Sequence, residues 1–187
     1  MGNIAEKAYR YIKKNILHVD DRSQIEIAEA NGFKHGARCA FMGGVIIDPG
    51  HCWLIEMGDD VTLAPRVHVL AHDASTKRQL GYTRIARVTI GNNVFVGAGT
   101  IILPGVSIGD NVVVGAGSVV TKSIPANSLA VGNPCRVISS YDEYMRKKTE
   151  EMNSGCVYDE SYQIGKITEE KKEEMKRDLK ERAGYIV

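Results

Sequence analysis

The chain has 187 residues, 43% of them hydrophobic, with 24 basic against 23 acidic side chains and a formal net charge of +1. That length buries one sizeable core, and the balanced charge excludes a chain built chiefly to coat nucleic acid. No apolar run reaches the length of a membrane span, Met1 to Arg10 mixes acids and bases where a secretion signal is apolar, and the cysteines are scattered, so a cytoplasmic protein is expected.

Residues 1–37 read as an N-terminal helical segment. From about Asn3 to Leu17, Ile4, Ala8, Tyr11, Ile12 and Ile16 fall near one helical face, with Lys7, Arg10, Lys13 and Lys14 elsewhere. A basic amphipathic helix can lie on an anionic membrane, but packing against its own domain is the commoner use and is the reading favoured.

Further along, a hydrophobic residue returns every sixth position: Ile90, Val96, Ile102, Ile108, Val114 and Val120. A second series, Val94, Thr100, Val106, Val112, Ser118 and Ile124, follows each at the fourth place after it. Neither a helix nor ordinary strands need that period, so it belongs to a repeat architecture. Gly91-Asn92-Asn93, Gly97-Ala98-Gly99, Pro104-Gly105 and Gly109-Asp110-Asn111 lie between the inward positions, and such residues turn at little cost. A chain coiling around a triangular prism, one hexapeptide to a face, meets these demands, because stacked coils bury a column of Ile and Val and pair their backbones in parallel ladders. The coil domain is drawn at 38–138. Its register walks back through Met57, Leu63 and Val69, with Ile55, Val61 and Val67 beside them, so clear coils begin by about residue 50.

Six places after Val69 stands Ser75 rather than an aliphatic residue, and the register resumes only at Ile90, 15 residues late (90 against 75). An extruded loop over 73–87 is therefore expected, and on a rigid prism such a loop is where function is built. His72 sits at its mouth. Imidazole titrates near neutral pH and can take the proton of an attacking hydroxyl, which makes His72 the candidate base. Asp73 points to the opposite face and reads as a solvated loop residue, and a main-chain carbonyl would serve equally well to fix the His72 tautomer. The remaining histidines, His18, His35, His51 and His68, read as structural or surface residues. His68 and His72 do not face one site on a coil, and Cys39, Cys52, Cys135 and Cys156 lack CxxC spacing, so no metal is expected.

Residues 139–187 form a charged extension. A helix is expected from Thr168 to about Arg182, with Thr168 as cap, Glu169 and Glu170 in the first turn, and Met175 and Leu179 as its clear apolar pair. It reads as a solvated surface helix.

The run VTIGNNVFVGAGTIILPGVSIGDNVVVGAGSVVTK from Val88 to Lys122, continued by PANSLAVGNPCR from Pro125 to Arg136, resembles the hexapeptide-repeat acyltransferases. Within them it is most similar to the galactoside and maltose O-acetyltransferases and related sugar acetyltransferases. The resemblance implies a mainly β fold, a left-handed parallel β-helix, whose handedness is the family's. It implies acetyl-CoA as donor, a hydroxyl of a sugar or polysaccharide precursor as acceptor, His72 as general base in a ternary complex, and a homotrimer with active sites between subunits. Carried onto matching positions, the donor contacts fall on Ala98, Ala116, Thr121, Lys122 and Arg136. Ala98 stands where the sugar enzymes have serine and keeps only a backbone contribution. The galactoside enzymes' acceptor carboxylate aligns with Cys52, and their N-terminal helical segment has no counterpart in Met1 to Ala37, so the reaction class carries over and the acceptor does not. N-acetylation of an amino sugar or nucleotide sugar is the nearest alternative. Of other classes, a non-catalytic scaffold and a zinc hydratase share the prism, and the loop with His72 and the Lys122 and Arg136 ending argue against both.

Overall fold

The structure is a computed structural model that describes residues 23–187. The helix expected over Asn3–Leu17 lies outside them. The chain divides into two units, Met1–Ile138 and Ser139–Val187.

In the first unit, short strands follow one another around three flat faces. β1 (Ala40–Phe41), β4 (Thr62–Leu63), β9 (Val94–Val96), β12 (Val112–Val114) and β14 (Ser128–Val131) stack on the first face. The second carries β2 (Ile46–Ile47), β5 (His68–Val69), β10 (Ile101–Ile102) and β13 (Val119–Val120), and the third β3 (Ile55–Met57), β8 (Val88–Ile90) and β11 (Ser107–Ile108). Neighbours on each face are parallel. This is the expected left-handed parallel β-helix.

The six-residue columns account for it. Val94, Thr100, Val106, Val112, Ser118 and Ile124 are buried, as are Ile90, Val96, Ile102, Ile108, Val114 and Val120. Each fully buried Val, Ile or Leu contributes about 1.5–3 kcal/mol relative to exposure, and no coil could bury its own share without neighbours above and below. The two polar members of the column are satisfied: the hydroxyls of Thr100 and Ser118 donate to the Gly115 carbonyl at 3.2 and 2.6 Å, and the Gly132 N–H donates to Ser118 at 3.0 Å. At one corner Asn93, Asn111 and Asn127 adopt φ of 52°, 54° and 57°, the left-handed turn asparagine tolerates. Their amides form a ladder, Asn93 donating to Asn111 at 2.8 Å and Asn111 to Asn127 at 3.0 Å.

Pairing separations show where the coil departs from regularity. Partners lie 18 residues apart from Ile101 to Val119 and from Val94 to Val112. The separation is 22 from Ile46 to His68 and 33 from His68 to Ile101. One coil therefore carries 4 residues more than 18 and the next 15 more. Both excesses fall at the corner between the second and third faces, in residues 48–54 and 70–87. The second holds a small hairpin, β6 (His72–Asp73) antiparallel to β7 (Arg84–Ile85), closed by a short helix α2 (Lys77–Leu80).

The first coil strand begins at Ala40, inside the stretch drawn at 38–138, and the extra residues at 48–54 put Ile46-Ile47 out of phase with Ile55-Met57, so the register becomes clear only after them. The described part of residues 1–37 packs on the coils. It includes a helix α1 (Gln24–Ala30), started by a capping box between Ser23 and Glu26, and Ala28 and Phe33 belong to the same core as the coils.

In the second unit, α3 (Tyr141–Ser154) begins at Ser140, whose hydroxyl accepts the Glu143 N–H at 3.2 Å. α4 (Glu169–Asp178) is capped by Thr168 as expected but ends four residues before Arg182, with Leu179 as its C-cap. Between them Cys156–Tyr158 pairs in parallel with Gly184–Ile186. Among the described residues no helix is long and apolar enough to cross a membrane.

Candidate active site

The two irregular corners stack, and together they build the site. β2 ends into Asp48, whose carboxylate is wholly buried. Its Oδ1 accepts the N–H groups of Gly50 at 2.9 Å and His51 at 3.1 Å, which ties down its own turn. Its Oδ2 reaches the coil above, accepting the N–H groups of Ala71 at 2.8 Å and His72 at 3.0 Å and the His72 Nδ1 at 2.6 Å. Burial alone pushes the Asp48 carboxyl up, but the Ala71 N–H, the His72 ring and the Gly50 N–H outweigh it and hold the group below the ordinary carboxylate value. An ionised carboxylate has no proton to give, so the His72 proton sits on Nδ1 and Nε2 is left as a bare lone pair. A base of defined tautomer results, its side chain 35% exposed.

His72 lines a pocket of about 460 Å³ with Leu70, Asp73, Arg84, Leu103 and Thr121 among its walls. Arg84 comes from the hairpin and fixes its guanidinium on the Pro104 carbonyl at 3.2 Å. Asp73 is exposed and accepts the Ser75 N–H at 2.8 Å, a loop-stabilising role. Of the residues expected from sequence, His72 and Thr121 meet in this pocket. Lys122 follows Thr121 and is exposed, and Arg136 is exposed with its guanidinium on the Cys135 carbonyl at 2.7 Å. Ala98 and Ala116 stack at the opposite ends of the second-face strands, where the Gly117 N–H donates to the Ala98 carbonyl at 2.8 Å. Among the described residues the N–H groups of Ala98 and Ala116 have no acceptor.

Sequence reasoning passed over two residues here. The sequence offers a main-chain carbonyl as a partner that would serve His72 equally well, points to no role for Asp48, and leaves His51 among the structural or surface histidines. His51 instead lies with its ring centroid 5.1 Å from that of His72. The signal that would have found both is the phase break between Ile47 and Ile55, the same kind of break that exposed His72.

Among the described residues, Asp48, His51 and His72 are also the group whose ligand atoms, within 4.8 Å of one another, could surround a cation. Five N–H groups already fill the Asp48 carboxylate, which has about four lone-pair positions, so it has none to give a metal without breaking the turn. The geometry is that of a hydrogen-bonded carboxylate and histidine.

Residues 87–122 match the family model "Bacterial transferase hexapeptide (six repeats)". A solved galactoside acetyltransferase in complex with coenzyme A is 30% identical, with 76% of this chain covering 82% of that one at a TM-score of 0.51. The chain belongs to the hexapeptide-repeat transferase family. Protein CapG of Staphylococcus aureus is 46% identical over 99 residues, 51% of this chain and 58% of that protein. The galactoside O-acetyltransferase of Escherichia coli K12 is 44% identical over 97 residues, 49% of this chain and 46% of the relative. The matched stretch thus spans about half the length of these curated relatives. As a hexapeptide-repeat transferase the chain departs from a uniform prism at the corner holding Asp48, His51 and His72.

Proposed function

We propose that the protein is an acetyltransferase that moves the acetyl group of acetyl-CoA to a hydroxyl of a sugar or polysaccharide precursor. The observation that carries this reading is the Asp48–His72 pair at 2.6 Å, with Nε2 of His72 left as proton acceptor beside a pocket walled by Thr121. His72 takes the proton of the acceptor hydroxyl at Nε2 during attack, and Asp48 orients the ring and balances the imidazolium that forms. Acetyl-CoA supplies the acyl group as a thioester. Thr121, the backbone of Ala98 and Ala116, and the cations Lys122 and Arg136 hold the donor, the two cations suiting its phosphates. The separation of Ala98 and Ala116 from the His72 pocket within one chain supports a homotrimer in which the donor groove of one prism faces the base of the next. An active monomer in sedimentation equilibrium would contradict that assembly.

The test is His72→Ala, assayed beside the wild type for acetyl transfer to a panel of sugar acceptors and titrated with coenzyme A by calorimetry. Turnover should fall by roughly two orders of magnitude or more while coenzyme A still binds at one site per chain. An unchanged rate would remove His72 from the chemistry, and no coenzyme A binding by the wild type would overturn the transferase reading.

A further inference from the structure

The corner of residues 48–54 leaves three aromatic rings in a row. The His51 ring lies 5.1 Å from that of His72 at 45° and 5.3 Å from that of Trp53 at 48°. Trp53 is 54% exposed, an unusual position for a large apolar ring, and it is the chain's single tryptophan. The backbone under the row is tied down. The His51 N–H is held by Asp48, the carboxylate that holds His72, and Cys52, buried between His51 and Trp53 in the chain, points its thiol at the Ala28 and Asn31 carbonyls at 3.5 and 3.4 Å. The His51 Nδ1 is buried and has no hydrogen-bond partner. A proton there would be a buried N–H without an acceptor, so the favoured tautomer carries its proton on Nε2, making that nitrogen a donor.

The row lies on the side of His72 away from Leu103 and Thr121, since the corner stacks in the order Asp48–Trp53, His72, Leu103, Thr121 along the coils. A group held against Trp53 and His51 would therefore approach His72 from the side opposite the donor residues.

Building on the transferase reading above, we propose that Trp53 and His51 are the acceptor platform, and that the acceptor is a pyranose ring. A pyranoside presents a patch of C–H groups on one face and hydroxyls at its rim. The indole face matches the first, as its negative π surface attracts polarised C–H, and the His51 Nε2–H matches the second. A ring laid there brings a rim hydroxyl beside the His72 ring, 5.1 Å from that of His51. An acyclic polyol has no such face and gains little from the indole.

Tryptophan emission reads the platform directly and needs no donor. The wild type is titrated with methyl pyranosides of glucose, galactose, mannose and N-acetylglucosamine, with sorbitol as the acyclic control. A saturable emission change with at least one pyranoside and none with sorbitol is expected, weakened about 5-fold or more in His51→Ala. In steady-state assays Trp53→Ala should raise the acceptor KM about 10-fold, more than it lowers kcat, with Trp53→Phe recovering most of the loss and the coenzyme A dissociation constant unmoved. No emission change with any pyranoside, an equal change with sorbitol, or an acceptor KM indifferent to Trp53→Ala overturns the platform. So does an emission change that follows protein concentration instead of sugar, which would assign Trp53 to contact with a second copy. A wild type that binds coenzyme A but shows no sugar response sinks this inference alone, whereas failure to bind coenzyme A sinks the transferase reading.

Discussion

Asp48 accepts five hydrogen bonds at 2.6–3.1 Å, so the shape of the site depends on its charge. Its carboxyl is held below the ordinary value of 3.8, and a group of depressed pKa stabilises the fold above its unfolded value and loses that contribution as pH falls through its folded one. Thermal melts of the wild type should therefore lose stability below about pH 3.8, down to the depressed pKa. Asp48→Asn should flatten that loss. At neutral pH the same substitution presents an NH2 group to N–H donors and should cost about 2–4 kcal/mol in urea unfolding, with turnover down roughly 10-fold or more because the His72 tautomer is no longer fixed. His72 was legible in the sequence because the aliphatic register fails just after it. Asp48 was not, because a buried acid between Ile47 and Pro49 looks like any turn residue until the coil above is known to place the Ala71 and His72 N–H groups over it.

At the scale of the element, the coils from Val88 to Ile124 were readable because each inward position there is a small or branched residue at a fixed interval, and no tertiary information is needed to see it. The helices were less so. α4 announced itself by the Thr168 cap and its acidic first turn, whereas α1, seven residues long, is held by Ala28 docking in the core and carries too short a pattern to read. Close approach between coils sets a sharper demand than the hydrophobic columns do. A Cβ on Gly97 would lie 2.4 Å from the Ala116 backbone nitrogen, a contact no side-chain rearrangement relieves. Gly97→Ala should destabilise by about 1–3 kcal/mol, read as a lower urea midpoint at unchanged slope, and it should weaken coenzyme A binding by displacing the Ala98–Ala116 corner. Gly99→Ala meets no atom within 4 Å but sits at φ of +69°, so its penalty is conformational and should leave the corner spacing intact.

Among the described residues of the first unit one core runs from Ala28 to Cys135, and each coil is stabilised by those that flank it. Central coils therefore carry more than terminal ones. Ile102, wholly buried beneath the second face, should cost about 2–5 kcal/mol as Ile102→Ala, while the same truncation at Ile47, the inward residue of the first coil in the same column, should cost about half as much. Equal losses at the two positions would contradict a stack of mutually dependent coils. The ladders around the extruded corner have another effect. His68 pairs with Ile101 as closely as Ile101 pairs with Val119, although 33 residues separate the first pair and 18 the second. Lengthening such a loop costs only about 0.6 kcal/mol per doubling, and the hairpin stem of His72–Asp73 with Arg84–Ile85 is set by the faces on either side, not by what hangs between. The corner is thus a socket: its tip can be exchanged for another of different length or charge while the stem below keeps its place, and selection can rewrite what reaches His72 without renegotiating the fold.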